Sequence, residues 1–203
     1  MIRNIVFDMG MVLMDYHPLA ACRAVAPDEE AVRRLNAAMF AHPEWIRLDD
    51  GSIELAEFGR RAQARLENGA LRPLVPLILN AMPFNILSPI PGMAEVVDEA
   101  LAAGFRLYLL SNACRLVSLN RAFIPRLERF SGVIFSVDEK IIKPDPALYR
   151  CLTDRYGLVP EECFFIDDNQ DNVDGARRVG WEAYRFNGDI PALRQTLEGL
   201  NGR

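Results

Sequence analysis

The sequence predicts an α/β fold with a Rossmann-like parallel sheet, helices on both faces of that sheet, and a small inserted α-helical cap domain. Short apolar runs that are typical of buried strands alternate with amphipathic helical stretches from about residue 92 onward. Residues 18–87 break that alternation, because they contain helical stretches but no convincing strand. Carboxylate, hydroxyl and ammonium groups follow the apolar runs, at the sheet edge where such folds bind ligands.

The core elements follow in order along the chain. A first strand occupies residues 5–7, and apolar residues from Met93 to Leu101 then recur at helical spacing. Gly104 stands where that helix is expected to stop. The remaining predicted elements are strands at 107–110, 133–135, 163–166 and 182–186, helical stretches at 115–129 and 148–156, a helix through Ala176, and a last helix from Ile190.

The interrupting segment is the predicted cap domain, residues 18–87, and the predicted core consists of residues 1–17 and 88–203. Because the segment follows the first strand, it would lie above the carboxyl end of that strand as a lid. Hinges are expected near residues 15–18 and 88–91.

One helix within the cap is predicted from apolar residues that share a face, namely Leu55, Phe58, Ala62 and Leu66. Ser52 precedes them and is the predicted N-cap of that helix.

Composition excludes several classes of function. Of the 203 residues, half are apolar and a quarter are charged, and the formal net charge of −5 provides no basic surface for nucleic acid or an anionic membrane. The most apolar later stretch, residues 74–78, is far shorter than the roughly 20 residues that a membrane span needs. The four cysteines show no metal-binding or disulfide spacing, and no secretory signal begins the sequence, so we expect a cytoplasmic protein.

Four polar groups come directly or closely after four apolar runs. These groups are Asp8, Ser111-Asn112, Lys143 and Asp167-Asp168. Because the carboxyl ends of parallel strands meet at one edge, we expect the four groups to form one site. Three of them have ordinary explanations when taken alone, since Asp8 fits a turn, Ser111-Asn112 fits a helix cap and Lys143 fits a surface lysine. Two adjacent aspartates after a buried strand are harder to explain without a cation.

The chemistry that these residue types favour is phosphoryl transfer. Asp8 can attack phosphorus and form an aspartyl phosphate. Backbone N–H groups of Met9 and Gly10, the Ser111 hydroxyl, and the amide of Asn112 would hold the phosphoryl oxygens.

A magnesium ion and a lysine complete the predicted site. Lys143 would offset negative charge in the transition state. Mg²⁺ prefers oxygen ligands, usually one or two carboxylates with water and substrate phosphate. The predicted donors are Asp8, Asp168 and the Gly10 carbonyl as ligands, with Asp167 and Asn172 acting directly or through water.

The ordered motifs resemble those of the haloacid dehalogenase (HAD) superfamily over most of the chain. They are residues 5–13, 109–112, 143–145 and 164–172. The first motif and the Asp-Asp-Asn run are most similar to those of bacterial sugar-phosphate phosphatases of the α-D-glucose-1-phosphate phosphatase kind, which carry a helical cap. The resemblance implies that Asp8 is the nucleophile. It also implies that Ser111, Asn112 and Lys143 bind the phosphate, and that Asp8, Gly10 and Asp168 are the magnesium ligands.

One position departs from the family pattern. Phosphatases of the superfamily carry a second aspartate, the general acid and base, two residues after the nucleophile, where this chain has Gly10. Three explanations are open. A cap residue, Asp15 or His17 could donate the proton, the substrate could have a weakly basic leaving group such as an anomeric sugar oxygen, or turnover could be lost.

The sequence therefore predicts a hydrolase, a magnesium-dependent phosphatase that acts on a small phosphorylated metabolite, possibly a sugar phosphate. One alternative is a dehalogenase that cleaves carbon–halogen bonds, in which Asp8 attacks carbon and no metal is needed. Another is a catalytically impaired protein that binds a phosphorylated metabolite. Either a monomer or a homodimer is compatible with the sequence.

Overall fold

The structure is a computed structural model that describes residues 1–119 and 121–200. Its central sheet confirms the predicted fold class, since five strands pair in parallel. In chain order these strands are β1 (Asn4–Phe7), β4 (Arg106–Ser111), β5 (Gly132–Phe135), β6 (Cys163–Asp167) and β7 (Glu182–Arg185). Their order across the sheet is β5-β4-β1-β6-β7, so β1 is the middle strand and lies between β4 and β6.

Both faces of the sheet are buried, as a parallel sheet covered by helices requires. Alternate residues of β1 show this division, because Ile5 and Phe7 belong to one apolar cluster and Val6 belongs to the other. Tyr108 and Phe165 pack in the cluster of Val6, on the same face of the neighbouring strands. The strand sequences are continuous apolar runs because both faces of the sheet pack against apolar side chains.

Eleven helices in the described chain surround the sheet or lie in the segment before it. They are α1 (Pro18–Arg23), α2 (Glu29–Ala38), α3 (Ile46–Asp49), α4 (Leu55–Arg65), α5 (Leu74–Asn85), α6 (Met93–Ala102), α7 (Arg115–Leu119), α8 (Ser136–Glu139), α9 (Pro146–Tyr156), α10 (Gln170–Arg178) and α11 (Ile190–Leu200). None of the described helices is long and apolar enough to cross a membrane.

Local sequence determines where the helices after the sheet strands begin. Asp145 caps α9 by accepting a hydrogen bond from the Ala147 N–H at 2.8 Å. Asn169 caps α10 in the same way through the Asp171 N–H at 2.9 Å. Asn169 directly follows the Asp167-Asp168 pair and Asp145 lies two residues after Lys143, so these caps fix the loops that carry the polar groups.

The predicted helix at 115–129 is wrong over most of its length. Helix α7 includes only Arg115–Leu119, residue 120 lies outside the described residues, and 3₁₀ turns follow at Arg121–Phe123 and Leu127–Arg129. Pro125 separates these two turns. Proline lacks the N–H that a continuous helix needs and clashes with the preceding turn.

Two short strands lie where hinges were expected. Strands β2 (Met14–Tyr16) and β3 (Leu87–Pro89) pair antiparallel, with Asp15 opposite Ser88. Three residues are too few for a period-two pattern to be read from the sequence. The two connections to the helical segment are therefore hydrogen-bonded to each other.

The segment between β2 and β3 contains helices α1 to α5 and no strand among its described residues, as predicted. The predicted N-cap of its α4 helix is wrong. That helix begins after Glu54 without a side-chain cap, and the Ser52 hydroxyl instead accepts a hydrogen bond from Arg47 Nε at 3.2 Å. That this segment forms a separate cap domain stays a prediction.

Candidate active site

Three carboxylates meet at the carboxyl edge of the sheet. Asp8 follows β1, Asp167 ends β6, and Asp168 comes next. Parallel pairing of Phe7 with Ile166 brings these chain positions side by side. One oxygen from each carboxylate lies within 4.8 Å of the others, which is close enough for all three groups to surround one cation.

Lys143 enters this cluster from the loop before α9. Its Nζ lies 2.8 Å from Asp8 Oδ1 and 2.7 Å from Asp167 Oδ2, and its side chain is only 1% exposed. Burial opposes the charged form of the lysine, but the two carboxylates outweigh burial and raise the pKa of Lys143. The lysine is therefore a buried cation held between the proposed nucleophile and its neighbour.

The carboxylates carry more negative charge than one lysine can balance. Burial raises the pKa of Asp8 to about 7, with Asp167 contributing to the rise and Lys143 opposing it. Burial and the charge of Asp167 also raise the pKa of Asp168. Three carboxylates and one ammonium leave a site that a divalent cation would neutralise, so the donor set fits Mg²⁺.

Asp167 and Asn172 position the site. The Asp167 carboxylate accepts hydrogen bonds from the Asn169 N–H at 2.8 Å and from Asn172 Nδ2 at 3.1 Å, besides the ion pair with Lys143. These contacts occupy both of its oxygens. In contrast, Asp168 is half-buried and lines the cavity described below. This arrangement agrees with Asp168 as the direct ligand and Asp167 as its support.

The side chain of Asn112 forms two hydrogen bonds with the backbone of Lys143. Its Oδ1 accepts a hydrogen bond from the Lys143 N–H at 2.8 Å, and its Nδ2 donates to the Lys143 carbonyl at 3.1 Å. Because both polar atoms of this side chain have partners, the backbone amide of Asn112 is the group that could make the predicted phosphate contact. Ser111 is buried at the end of β4, where it pairs with Phe135.

The first two amides of the loop after Asp8 are outside the backbone hydrogen-bond network of the described residues. Within the described chain, the N–H groups of Met9 and Gly10 donate to no backbone carbonyl. The Met9 carbonyl accepts the N–H groups of Leu13 and Met14, both at 2.9 Å, which fixes the loop. The Met9 N–H donates to the Asp8 carboxyl and thereby lowers the pKa of that group, and the Gly10 N–H agrees with the predicted role in binding phosphoryl oxygens.

A cavity of about 430 Å³ lies between the sheet edge and the helical segment. The core contributes Asp8, Gly10, Asn112 and Asp168, and the helical segment and its connections contribute Tyr16, Phe40, Trp45, Asp49 and Ile86. The cavity joins the predicted site to residues that the motifs did not identify.

The residues from the helical segment were missed because their spacing is that of a core-facing surface. Trp45 packs against Phe40 and Phe58, with ring centroids 4.8 and 5.5 Å away, and it also lines the cavity. His42, which precedes the 3₁₀ turn that contains Trp45, accepts a hydrogen bond from the Glu44 N–H and is not among the residues that line the cavity. Asp49, a half-buried carboxyl in the cavity wall, has no sequence signal beyond its residue type.

A sequence model of the haloacid dehalogenase-like hydrolase family matches residues 2–180. The (S)-2-haloacid dehalogenase 4A of Burkholderia cepacia is 32% identical over 105 residues, which are 51% of this chain and 46% of that protein, so the match spans about half of that relative. Phosphatase MT3486 of Mycobacterium tuberculosis is 28% identical over 98% of this chain and 92% of its own length. The phosphorylated carbohydrates phosphatase of Thermotoga maritima is 26% identical over 88% and 82%.

Solved structures share the fold. A HAD family enzyme from Bacteroides thetaiotaomicron, in complex with magnesium and inorganic phosphate, superposes with a TM-score of 0.69. It is 20% identical, and the match covers 95% of this chain and 99% of that chain. A HAD-like hydrolase from Porphyromonas gingivalis is 26% identical, with a TM-score of 0.68 and coverage of 97% and 98%.

Proposed function

Because the chain belongs to the haloacid dehalogenase-like hydrolase family, we propose that it is a magnesium-dependent phosphatase of small phosphorylated metabolites. The supporting observation is the buried contact of 2.8 Å between Lys143 and Asp8 beside two further carboxylates. A nucleophile, a cation for the phosphoryl oxygens, and oxygen donors for Mg²⁺ are thereby brought together. Two relatives that match most of the chain are named phosphatases, in agreement with this proposal.

The chain's own residues would divide the reaction into two steps. The Asp8 carboxylate attacks phosphorus in line with the departing ester oxygen, which forms an aspartyl phosphate. Lys143 and the amides of Met9 and Gly10 stabilise the charge on the equatorial oxygens. Water then attacks the same phosphorus and releases phosphate and the Asp8 carboxylate.

Mg²⁺ would be held by Asp8, Asp168 and the Gly10 carbonyl, with Asp167 and Asn172 supporting them. When bound, it supplies positive charge that screens the nucleophile from the anionic phosphoryl group. Asp8 and Asp168 remain together at this edge because strands β1 and β6 are hydrogen-bonded neighbours.

The helical segment, residues 18–87, is proposed as the cap that selects the substrate. Trp45 and Phe40 give the cavity an aromatic wall, and Tyr16 adds a hydroxyl. An aromatic wall with a few polar groups suits a sugar phosphate, and the Thermotoga relative is named for phosphorylated carbohydrates. We propose this substrate class, with the α-D-glucose-1-phosphate phosphatase kind as the subtype to test first.

A cytoplasmic location is proposed with this function. Cys22, Cys114, Cys151 and Cys163 are all unpaired thiols, which fits a reducing compartment. Whether the protein is a monomer or a homodimer stays open between the two predicted states.

Dehalogenase activity is the second candidate, because a 2-haloacid dehalogenase shares 32% identity over half of the chain and Gly10 removes the usual second acid. The charge of the site disfavours it. Without a metal, a single buried lysine faces three carboxylates, and an anionic haloacid would be repelled. Halide release from 2-haloacids in EDTA would support the second candidate.

The proposal is tested with p-nitrophenyl phosphate and with a panel of sugar phosphates, each with Mg²⁺ and with EDTA. The parent protein is expected to hydrolyse at least one of them only with Mg²⁺, and Asp8→Asn is expected to be inactive. Asp171→Asn, an exposed substitution in the first turn of α10, is the matched control and should retain activity. An Asp8→Asn protein with the parent rate would eliminate the mechanism.

A further inference from the structure

The site described above lacks a group that can protonate the departing oxygen. Three described residues that line the cavity carry carboxyl groups, namely Asp8, Asp49 and Asp168. Asp8 and Asp168 are already assigned to the nucleophile and the cation. Asp49 has no role in that assignment, although it lies in the wall of the same cavity.

Asp49 is anchored to the core although it belongs to the helical segment. It is the last residue of α3, and its carbonyl accepts a hydrogen bond from the buried Ser136 hydroxyl at 2.6 Å. The Ser136 hydroxyl in turn accepts the Ala113 N–H at 3.0 Å, one residue after Asn112. The end of α3 is thereby tied to the loop that follows β4, next to the site.

The carboxyl of Asp49 is held in surroundings that favour its neutral form. Burial and the neighbouring Asp50 raise the pKa of Asp49 to about 7, although a hydrogen bond from the Cys114 N–H lowers it. Tyr16 lines the same cavity, and burial together with the charge of Asp49 raises the pKa of its phenol. An acid that is half protonated near neutral pH suits a group that gives and takes a proton in one cycle.

We propose that Asp49 is the general acid and base of this hydrolase and supplies from the helical segment what Gly10 lacks in the core. The inference rests on the proposed phosphatase function. Asp49 differs from Asp15 and His17, the two other candidates that the sequence offered. Those two contact each other at 4.0 Å and do not line the cavity.

The proton balance is complete. In the first step, the bond between Asp8 oxygen and phosphorus forms, the bond from phosphorus to the ester oxygen breaks, and the Asp49 proton passes to that oxygen. The product leaves as a neutral alcohol. In the second step, the Asp49 carboxylate takes a proton from water as the water oxygen bonds to phosphorus and the Asp8 carboxylate leaves. Both side chains return to their starting forms, and inorganic phosphate is released.

A cavity carboxyl could instead hold hydroxyl groups of a sugar. Aryl phosphates distinguish these roles, because they have no such hydroxyls and vary only in the basicity of the leaving group. We would measure kcat/KM with Mg²⁺ for phenyl phosphate and dinitrophenyl phosphate, since kcat/KM reports the steps through departure of the phenol. The isosteric variant Asp49→Asn is compared with Asp15→Asn, and thermal unfolding verifies that each variant is folded.

Asp49→Asn is expected to lower kcat/KM about 10²–10⁴-fold for phenyl phosphate and only a few-fold for dinitrophenyl phosphate, whose leaving group needs no proton. Asp15→Asn is expected to match the parent on both. An equal loss on both substrates, or no loss on either, would overturn the role of Asp49 while the phosphatase function stands. A parent protein that hydrolyses neither substrate nor any sugar phosphate with Mg²⁺ would overturn both proposals.

Discussion

Asn112 holds the backbone of Lys143 from both sides, with its carbonyl oxygen 2.8 Å from the lysine N–H and its amide nitrogen 3.1 Å from the lysine carbonyl. The two residues are 31 positions apart in sequence, so this clamp joins the loop after β4 to the loop before α9. It places Nζ of Lys143 against Asp8. The site therefore depends on a side chain that makes no ion pair itself.

Replacement of this clamp should disturb Lys143. We expect Asn112→Ala to lower kcat by about 10²-fold through misplacement of the ammonium group. It should also lower the free energy of unfolding by about 1–3 kcal/mol, because the Lys143 N–H and carbonyl lose their partner. Steady-state kinetics and denaturant unfolding measure both effects. Asn68→Ala removes a similar contact, to the Ala70 N–H, far from the site and should leave kcat unchanged. Parent kinetics for Asn112→Ala would contradict the role of the clamp.

Loss of one carboxylate should weaken cation binding. In the parent protein, Mg²⁺ at a hundredfold excess over its dissociation constant should stabilise the fold by about 2.7 kcal/mol. We expect Asp168→Asn to reduce this stabilisation strongly and to raise the Mg²⁺ concentration needed for activity. The exposed Asp171→Asn protein should respond as the parent does. Equal responses of all three proteins in a thermal-shift titration would show that Asp168 is not a ligand.

The raised pKa of Asp49 should make the free energy of unfolding depend on pH. Its folded pKa is raised to about 7 from an ordinary value of 3.8, so the folded state binds this proton more tightly. The stability that this residue contributes is present below about pH 4 and is lost as the pH rises through about 7. In EDTA, Asp49→Asn should therefore gain about 1–4 kcal/mol relative to the parent between about pH 5 and pH 8. Denaturant unfolding at each pH measures this difference, and a constant difference would be the contrary result.

Gly10 offers a test by gain of function. A Cβ atom built at this glycine meets no heavy atom within 4 Å, so a side chain fits there. On the background of Asp49→Asn, we expect Gly10→Asp to recover at least about tenfold in kcat/KM for phenyl phosphate, because it restores an acid close to the nucleophile. Gly10→Asn has nearly the same size without the acid and should recover nothing. Equal behaviour of the two variants would argue against a missing proton donor.

The strand-end groups could be found from sequence because topology alone brings them together. Asp8, Lys143 and Asp168 each follow an apolar run directly or closely, and parallel pairing then determines which edge they share. The fold class follows from the same alternation of strands and helices. No side-chain detail is needed for either conclusion.

The residues that sequence reasoning missed depend on contacts between distant segments. Asp49 and Trp45 lie on short helical turns whose spacing does not separate a cavity wall from a core. Strands β2 and β3 are too short for a pattern, and the clamp by Asn112 pairs a side chain with a backbone far along the chain. Such features become visible only when the loops have been placed in space.

A crystal structure with Mg²⁺ and orthovanadate would show whether Asp8 and Asp168 share one cation beside the phosphoryl site. We expect one cation bound by oxygens of Asp8, Asp168 and Gly10 at about 2.0–2.1 Å, with vanadium in line with the second oxygen of Asp8. A cation bound away from Asp8 and Asp168, or vanadate outside the reach of Asp8, would contradict it.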